Sequence, residues 1–235
     1  MALAADELLQ IVVLTAQVTI GATLLGSVIG IPLGTFLGLS RVRGRGLVRA
    51  VVYSLYALPP VVAGLVLYLL LRREGPLGVL GLLFTPWGIL LAETLLTIPL
   101  ITGLTIAAIA ELPSELAEAI DAGGPTSHQR FIAFVSQARF GILSAVLVGY
   151  GRSLAEVAAA LIVGGNIRGE TRTLGTAILQ EVNRGEFAFA LVLAGILIAQ
   201  AAATAFLLYR LQRAERVSAG RPVLRRRHGE GGDSP

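Results

Sequence analysis

Lysine and cysteine are both missing from this 235-residue chain, aromatics make up only 6% of it and charged residues only 14%. Without cysteine there is no disulfide, no thiolate nucleophile and no thiolate-held zinc. So few aromatics argue against a nucleic-acid partner, whose surface interleaves rings with basic side chains. A charged fraction well below the roughly 25% of an ordinary soluble domain accompanies 54% hydrophobic residues and a mean hydropathy of +0.76. That balance excludes disorder and a soluble globule. All 19 basic residues are arginine, so the net charge of +4 and the pI near 10.1 depend on where those arginines sit.

What the chain has instead is long uncharged runs. Positions 8–40 contain no charge, and a helix needs only about 20 apolar residues to cross a bilayer core. Five spans are expected, at about 10–39, 50–71, 87–110, 140–164 and 187–209. The fold class is therefore an all-α integral membrane protein with five transmembrane helices. The N-terminus has no basic n-region and is expected to remain uncleaved. Pro59-Pro60 should kink or break the second span, which must then sit inside a bundle that covers the freed carbonyls. Gly26, Gly30, Gly34 and Gly38 recur every fourth position on one face of the first span, a spacing suited to close packing against a neighbouring helix.

Thirteen of the 19 arginines fall in segments 41–49, 111–139 and 210–235, and five on the opposite face. Arginine excess in short loops marks the cytoplasmic side, so the N-terminus is expected outside and the C-terminus inside. The basic tail 210–235 reads as disordered, a topology and anionic-lipid signal. Arg152, inside the fourth span, escapes this pattern. It is four residues from Glu156 on one helix face, and a charge in a span is costly unless paired or hydrated. Either the pair fixes the fourth helix against its neighbours, or Arg152, Ser153 and Glu156 line a pathway at the bundle axis. Glu93 has no partner legible in the sequence and is expected to reach the outer interface. Asn166, Thr171 and Thr173 either face a docked partner outside or cap a short re-entrant helix at Leu174 to Val182.

Segment 111–139 is the informative loop. A short helix starts near Pro113, Gly123-Gly124 stops it, and a second restarts with Thr126 as N-cap and Gln129 three residues on, a capping-box pattern. An exposed linker needs neither the elbow nor the restart. Glu118-Ala119, with Ile120 and then Gly124, resembles the cytoplasmic loop motif of the membrane subunits of type I ABC importers. Ile120 stands in place of the family's second alanine, and Ser136-Gln137-Ala138-Arg139 in place of its Leu-Pro ending. Gly151-Arg152-Ser153-Leu154-Ala155-Glu156-Val157, Ile162 to Ile167 and Thr171 to Ile178 resemble the tungstate-type permeases, relatives of the molybdate and sulfate permeases.

That resemblance implies a type I importer transmembrane domain over 1–209, in a bacterial or archaeal inner membrane. It implies a cytoplasmic coupling loop in which Glu118, Ala119, Asp121, Ala122, Gly123, Gly124 and Pro125 meet an ATPase. The partners implied are two ATPase subunits, which would hold ATP-Mg, and an extracytoplasmic oxyanion-binding protein; the chain itself would bind no cofactor. Five spans around a two-fold pore also call for a homodimer. A self-sufficient secondary transporter would show an inverted repeat, and Pro59-Pro60 has no counterpart in the second half. An intramembrane enzyme is not expected either, since the two histidines, His128 and His228, lie outside the spans and no metal-ligand spacing occurs.

Overall fold

The computed structural model describes residues 2–40 and 44–219. Among them ten helices follow one another without a strand: α1 (Ala2–Leu39), α2 (Arg45–Tyr56), α3 (Pro60–Leu71), α4 (Pro86–Ala110), α5 (Ser114–Ala122), α6 (Ser127–Gln137), α7 (Arg139–Leu154), α8 (Ala158–Gly164), α9 (Leu174–Arg184) and α10 (Phe187–Ala219). A single 3-10 turn at Gly78–Leu80 interrupts the connection before α4. Three helices, α1, α4 and α10, are each long and apolar enough to cross a membrane, and two bent pairs bring the number to as many as five.

α4 is the central post, and α1 lies along it. The glycine stripe makes this possible: a Cβ at Gly34 would stand 2.6 Å from both the carbonyl oxygen of Thr102 and Cβ of Thr105, and one at Gly26 would stand 2.8 Å from Cγ2 of Thr97. Gly30 meets Ile101 and Gly38 meets Ile109 in the same way, so the stripe packs within the chain, as its spacing suggests. Five threonine hydroxyls on these helices are satisfied locally, whereas those of the buried Thr35 and Thr105 have no partner among the described residues. Thr15, Thr23, Thr94, Thr97 and Thr102 each donate to the carbonyl one turn back, which keeps polar groups out of an apolar surround. Arg49 closes the far end of α1 by donating from Nη2 to the carbonyls of Leu37 and Gly38, at 2.7 and 3.1 Å.

The second span is not one helix over 50–71. Its first half begins at Arg45, and beyond the break before Pro60 the axis turns by 92°. Pro59 and Pro60 supply no amide donors, so the α-ladder cannot cross them. α3 then packs through Ala63, Gly64 and Leu67 against α8, with Gly64 close to Ala159.

The fourth span also departs from a continuous helix over 140–164. It breaks at Ala155–Val157, leaving α7 and the short α8, and α7 is itself turned by 72° from α6. No proline causes the first of these breaks. Glu156 bends its side chain forward, and Oε1 accepts the Ala159 amide at 3.0 Å, so the carboxylate caps the start of α8. The last helix runs on to Ala219 rather than stopping at Tyr209, which replaces the first ten residues of the expected disordered tail with helix. The remainder of that tail lies outside the described residues.

Candidate functional site

The elbow of 111–139 has the form its residues dictate. Pro113 stands at the N-cap of α5. Gly124 takes φ +60, a left-handed conformation that glycine adopts without strain, and a Cβ there would meet nothing within 4 Å. Thr126 and Gln129 form the reciprocal capping box at the start of α6. Asp121 and Arg130 tie the two arms together through two hydrogen bonds, Nε to Oδ1 at 2.7 Å and Nη2 to Oδ2 at 3.1 Å. Arg130 also lies 5.3 Å from the Phe134 ring centroid.

The two faces of the elbow differ. Ala117 and Ile120 of α5 and Phe134 of α6 pack with Ile109 at the end of α4 and Ile142 in α7. Glu118, Ala119, Asp121, Ala122, Gly123 and Gly124 are exposed, and Pro125 is half-buried. The exposed apex is thus small and acidic, while the opposite face grips the ends of two membrane helices. Where the resemblance expects Leu-Pro, Ala138 stands at the 72° bend, and Arg139 closes the turn by donating to the Ser136 carbonyl at 3.0 Å.

A second constellation gathers at the break between α7 and α8. Arg152 Nη1 donates to Glu156 Oε2 at 2.7 Å, with the arginine side chain 40% exposed and the glutamate 3%. One carboxylate therefore holds a guanidinium and a helix start together. Glu93 does not reach an interface: it is 3% exposed on α4 and accepts a hydrogen bond from Ser153 Oγ. The structure pairs Arg152 with Glu156 as the spacing suggests, while the Ser153 side chain meets Glu93. The Glu93–Ser153 contact joins residues sixty positions apart, for which a single sequence offers no signal. A carboxylate two residues ahead of a run of alanines is the sign of the α8 cap that the sequence offers.

Asn166, Thr171 and Thr173 have structural duties here. Thr173 forms a capping box with Thr176 at the start of α9, the short helix expected at Leu174 to Val182. Thr171 Oγ1 donates to the Gly164 carbonyl at 2.6 Å and accepts from the Ile167 amide at 2.8 Å. Asn166 donates to Gln180 at 2.7 Å.

Comparison with known proteins places these features in context. The family model described as the binding-protein-dependent transport system inner membrane component matches residues 30–217. A probable anion ABC transporter permease protein of Haloferax volcanii is 37% identical over 197 residues, 82% of this chain and 85% of that protein. The tungstate uptake system permease protein TupB of Peptoclostridium acidaminophilum is 35% identical over 202 residues, 86% and 89%. The molybdenum transport system permease protein ModB of Azotobacter vinelandii is 31% identical over 210 residues, 85% and 92%. Among solved structures, an inward-facing MetNI methionine ABC transporter chain superposes with a TM-score of 0.74 at 21% identity, over 91% of this chain and 98% of that one, a likeness of fold. With its helical frame, its elbow and a match over residues 30–217, the chain belongs to the family of binding-protein-dependent transport system inner membrane components, the permease subunits of ABC importers.

Proposed function

We propose that this chain is the membrane half of an ATP-driven oxyanion importer, with tungstate as its substrate. It works as a homodimer of five-span subunits, N-terminus outside and C-terminus in the cytoplasm, built on a transmembrane domain over 1–209. Two ATPase subunits bind beneath it, and an oxyanion-binding protein docks outside. The chain performs no chemistry of its own and binds no cofactor; ATP-Mg belongs to the ATPase. The observation that carries this is the two-faced elbow. Glu118, Ala119 and Asp121 to Pro125 offer a small, acidic apex for an ATPase groove, and the inner face of the elbow is packed against the ends of α4 and α7. A push on the apex is passed to the membrane helices because the capping box and the Asp121–Arg130 pair oppose flexing between the two arms.

Arg152, Ser153 and Glu156 stand beside the pathway in this account. A guanidinium that is 40% exposed within a span is too costly to face lipid, so the open side of Arg152 is taken to face water or the second subunit. The relatives named for tungstate, for molybdenum and for an unspecified anion support an oxyanion. Tungstate rests on the similarity to the tungstate permease, on Ala138-Arg139 in place of Leu-Pro and on the five-span count. The test is uptake into vesicles that hold the chain with its ATPase, ATP inside and the binding protein outside. ATP-dependent tungstate uptake, competed more weakly by molybdate and hardly by sulfate, is expected. Preference for molybdate would replace the substrate, and uptake that runs without ATP would overturn the transport class.

A further inference from the structure

On the face opposite the elbow, the first turns of α1 and the loop between α8 and α9 enclose a polar cavity of about 220 Å3. Glu7, Gln10, Leu14, Gln17, Glu170 and Arg172 line it. Arg172 is only 6% exposed, gives Nη1 to Glu7 Oε1 at 2.9 Å, and keeps a buried Nε with no hydrogen-bond partner. Arg168 holds the same Glu7 carboxylate from the solvent side. Glu170 is exposed and has no ion pair among the described residues.

A second cavity, of about 390 Å3, continues from the first through the shared residues Leu14 and Gln17. Its walls are apolar: Val18 and Gly21 of α1, Leu90 of α4, and Trp87 at the start of α4, 67% exposed. The two cavities follow one stripe of α1 from Glu7 to Gly21, about 21 Å at 1.5 Å per residue. That is roughly the depth of a headgroup region and one leaflet of a core about 30 Å thick, and an exposed tryptophan at a span end is a mark of the membrane interface.

We infer that this composite groove holds one phospholipid with an amine-bearing, zwitterionic headgroup, its phosphate on Arg172, its ammonium on Glu170 and an acyl chain along Leu14, Val18 and Trp87. A free oxyanion fits the polar end poorly. Arg168 and Arg172 against Glu7 and Glu170 leave the polar end with no net charge, so a tetrahedral dianion gains nothing there that a net-neutral headgroup does not. A zwitterion offers Arg172 a phosphate and the unpaired Glu170 an ammonium together. This site is independent of which anion the permease carries.

Trp87 is the only tryptophan, so its fluorescence reports on the groove alone. The purified full chain in detergent is titrated with phosphatidylethanolamine brominated on its acyl chains, and separately with brominated phosphatidylglycerol. Saturable quenching at least threefold tighter for the ethanolamine lipid is expected. Arg172→Gln and the exposed Glu170→Gln should each remove that preference, and Leu14→Phe should weaken quenching by both lipids. Equal quenching of the wild-type chain by both lipids, or a preference that survives the Arg172 and Glu170 substitutions, would mean ordinary annular lipid and overturn the assignment. Displacement by tungstate or inorganic phosphate would make it a free-anion site, and quenching replaced by dependence on protein concentration would make it a contact with a second copy. Either outcome would overturn it as well.

Discussion

Glu156 uses one carboxylate for two purposes: Oε2 accepts from Arg152, and Oε1 accepts from the Ala159 amide in the first turn of α8. The two can be separated. Glu156→Gln keeps an acceptor for Ala159 and removes the charge, whereas Glu156→Ala removes both. Loss of the cap costs about 1 kcal/mol. Breaking a fully buried pair costs about 3–5 kcal/mol, reduced here because Arg152 is partly solvated. Glu156→Ala is therefore expected to destabilise by about 2–4 kcal/mol, and Glu156→Gln by roughly half of that, in thermal unfolding of the solubilised chain. Equal melting of the two variants would contradict the double role. The Arg152–Glu156 pairing is legible in the sequence because residues four apart share a helix face. The burial of Glu93 is not, because its partner Ser153 arrives from another helix and only the fold brings them together.

Whole elements were legible wherever local chemistry decides them. Pro59-Pro60 announces its break by lacking donors, and Thr126 with Gln129 announces the start of α6. The break at Ala155–Val157 carries no such mark, since a side-chain cap competes there with an apolar run that favours continuation. The far end of α10 is not legible, because arginine-rich sequence after Tyr209 reads as tail, yet arginine is a good helix former and the helix runs on. The glycine stripe offers a sharp contrast between elements. Gly34→Val places new methyl groups into the Thr102 carbonyl and Thr105, where overpacking costs about 1–3 kcal/mol. Gly46→Ala in α2 meets nothing within 4 Å and is expected to be neutral or stabilising by about 0.5–1 kcal/mol. Unfolding midpoints of the two variants check this, and a Gly34→Val chain as stable as wild type would show that α1 does not press on α4 as described.

At the scale of the whole molecule, 13 of the 19 arginines that give the chain its high pI fall in segments 41–49, 111–139 and 210–235, the second of which forms the elbow. In the proposed account, the end that carries 111–139 is the one that faces the ATPase. The opposite end is held by Arg168 and Arg172 on Glu7, which tie the start of α1 to the loop before α9. The elbow packs on Ile109 of α4 and Ile142 of α7, and those two helices also carry Glu93, Ser153 and the α7–α8 break, which is the route the proposed coupling takes. The most direct test of this account is the ATPase rate of the reconstituted transporter, with and without loaded binding protein, for the wild-type chain and for Gly124→Arg. Gly124→Arg puts a long side chain on the exposed apex in a left-handed conformation while leaving the membrane helices unaltered. The account predicts that the variant inserts in the membrane normally but loses at least tenfold of the binding-protein-stimulated ATPase rate. Stimulation equal to wild type in a correctly inserted variant would contradict it.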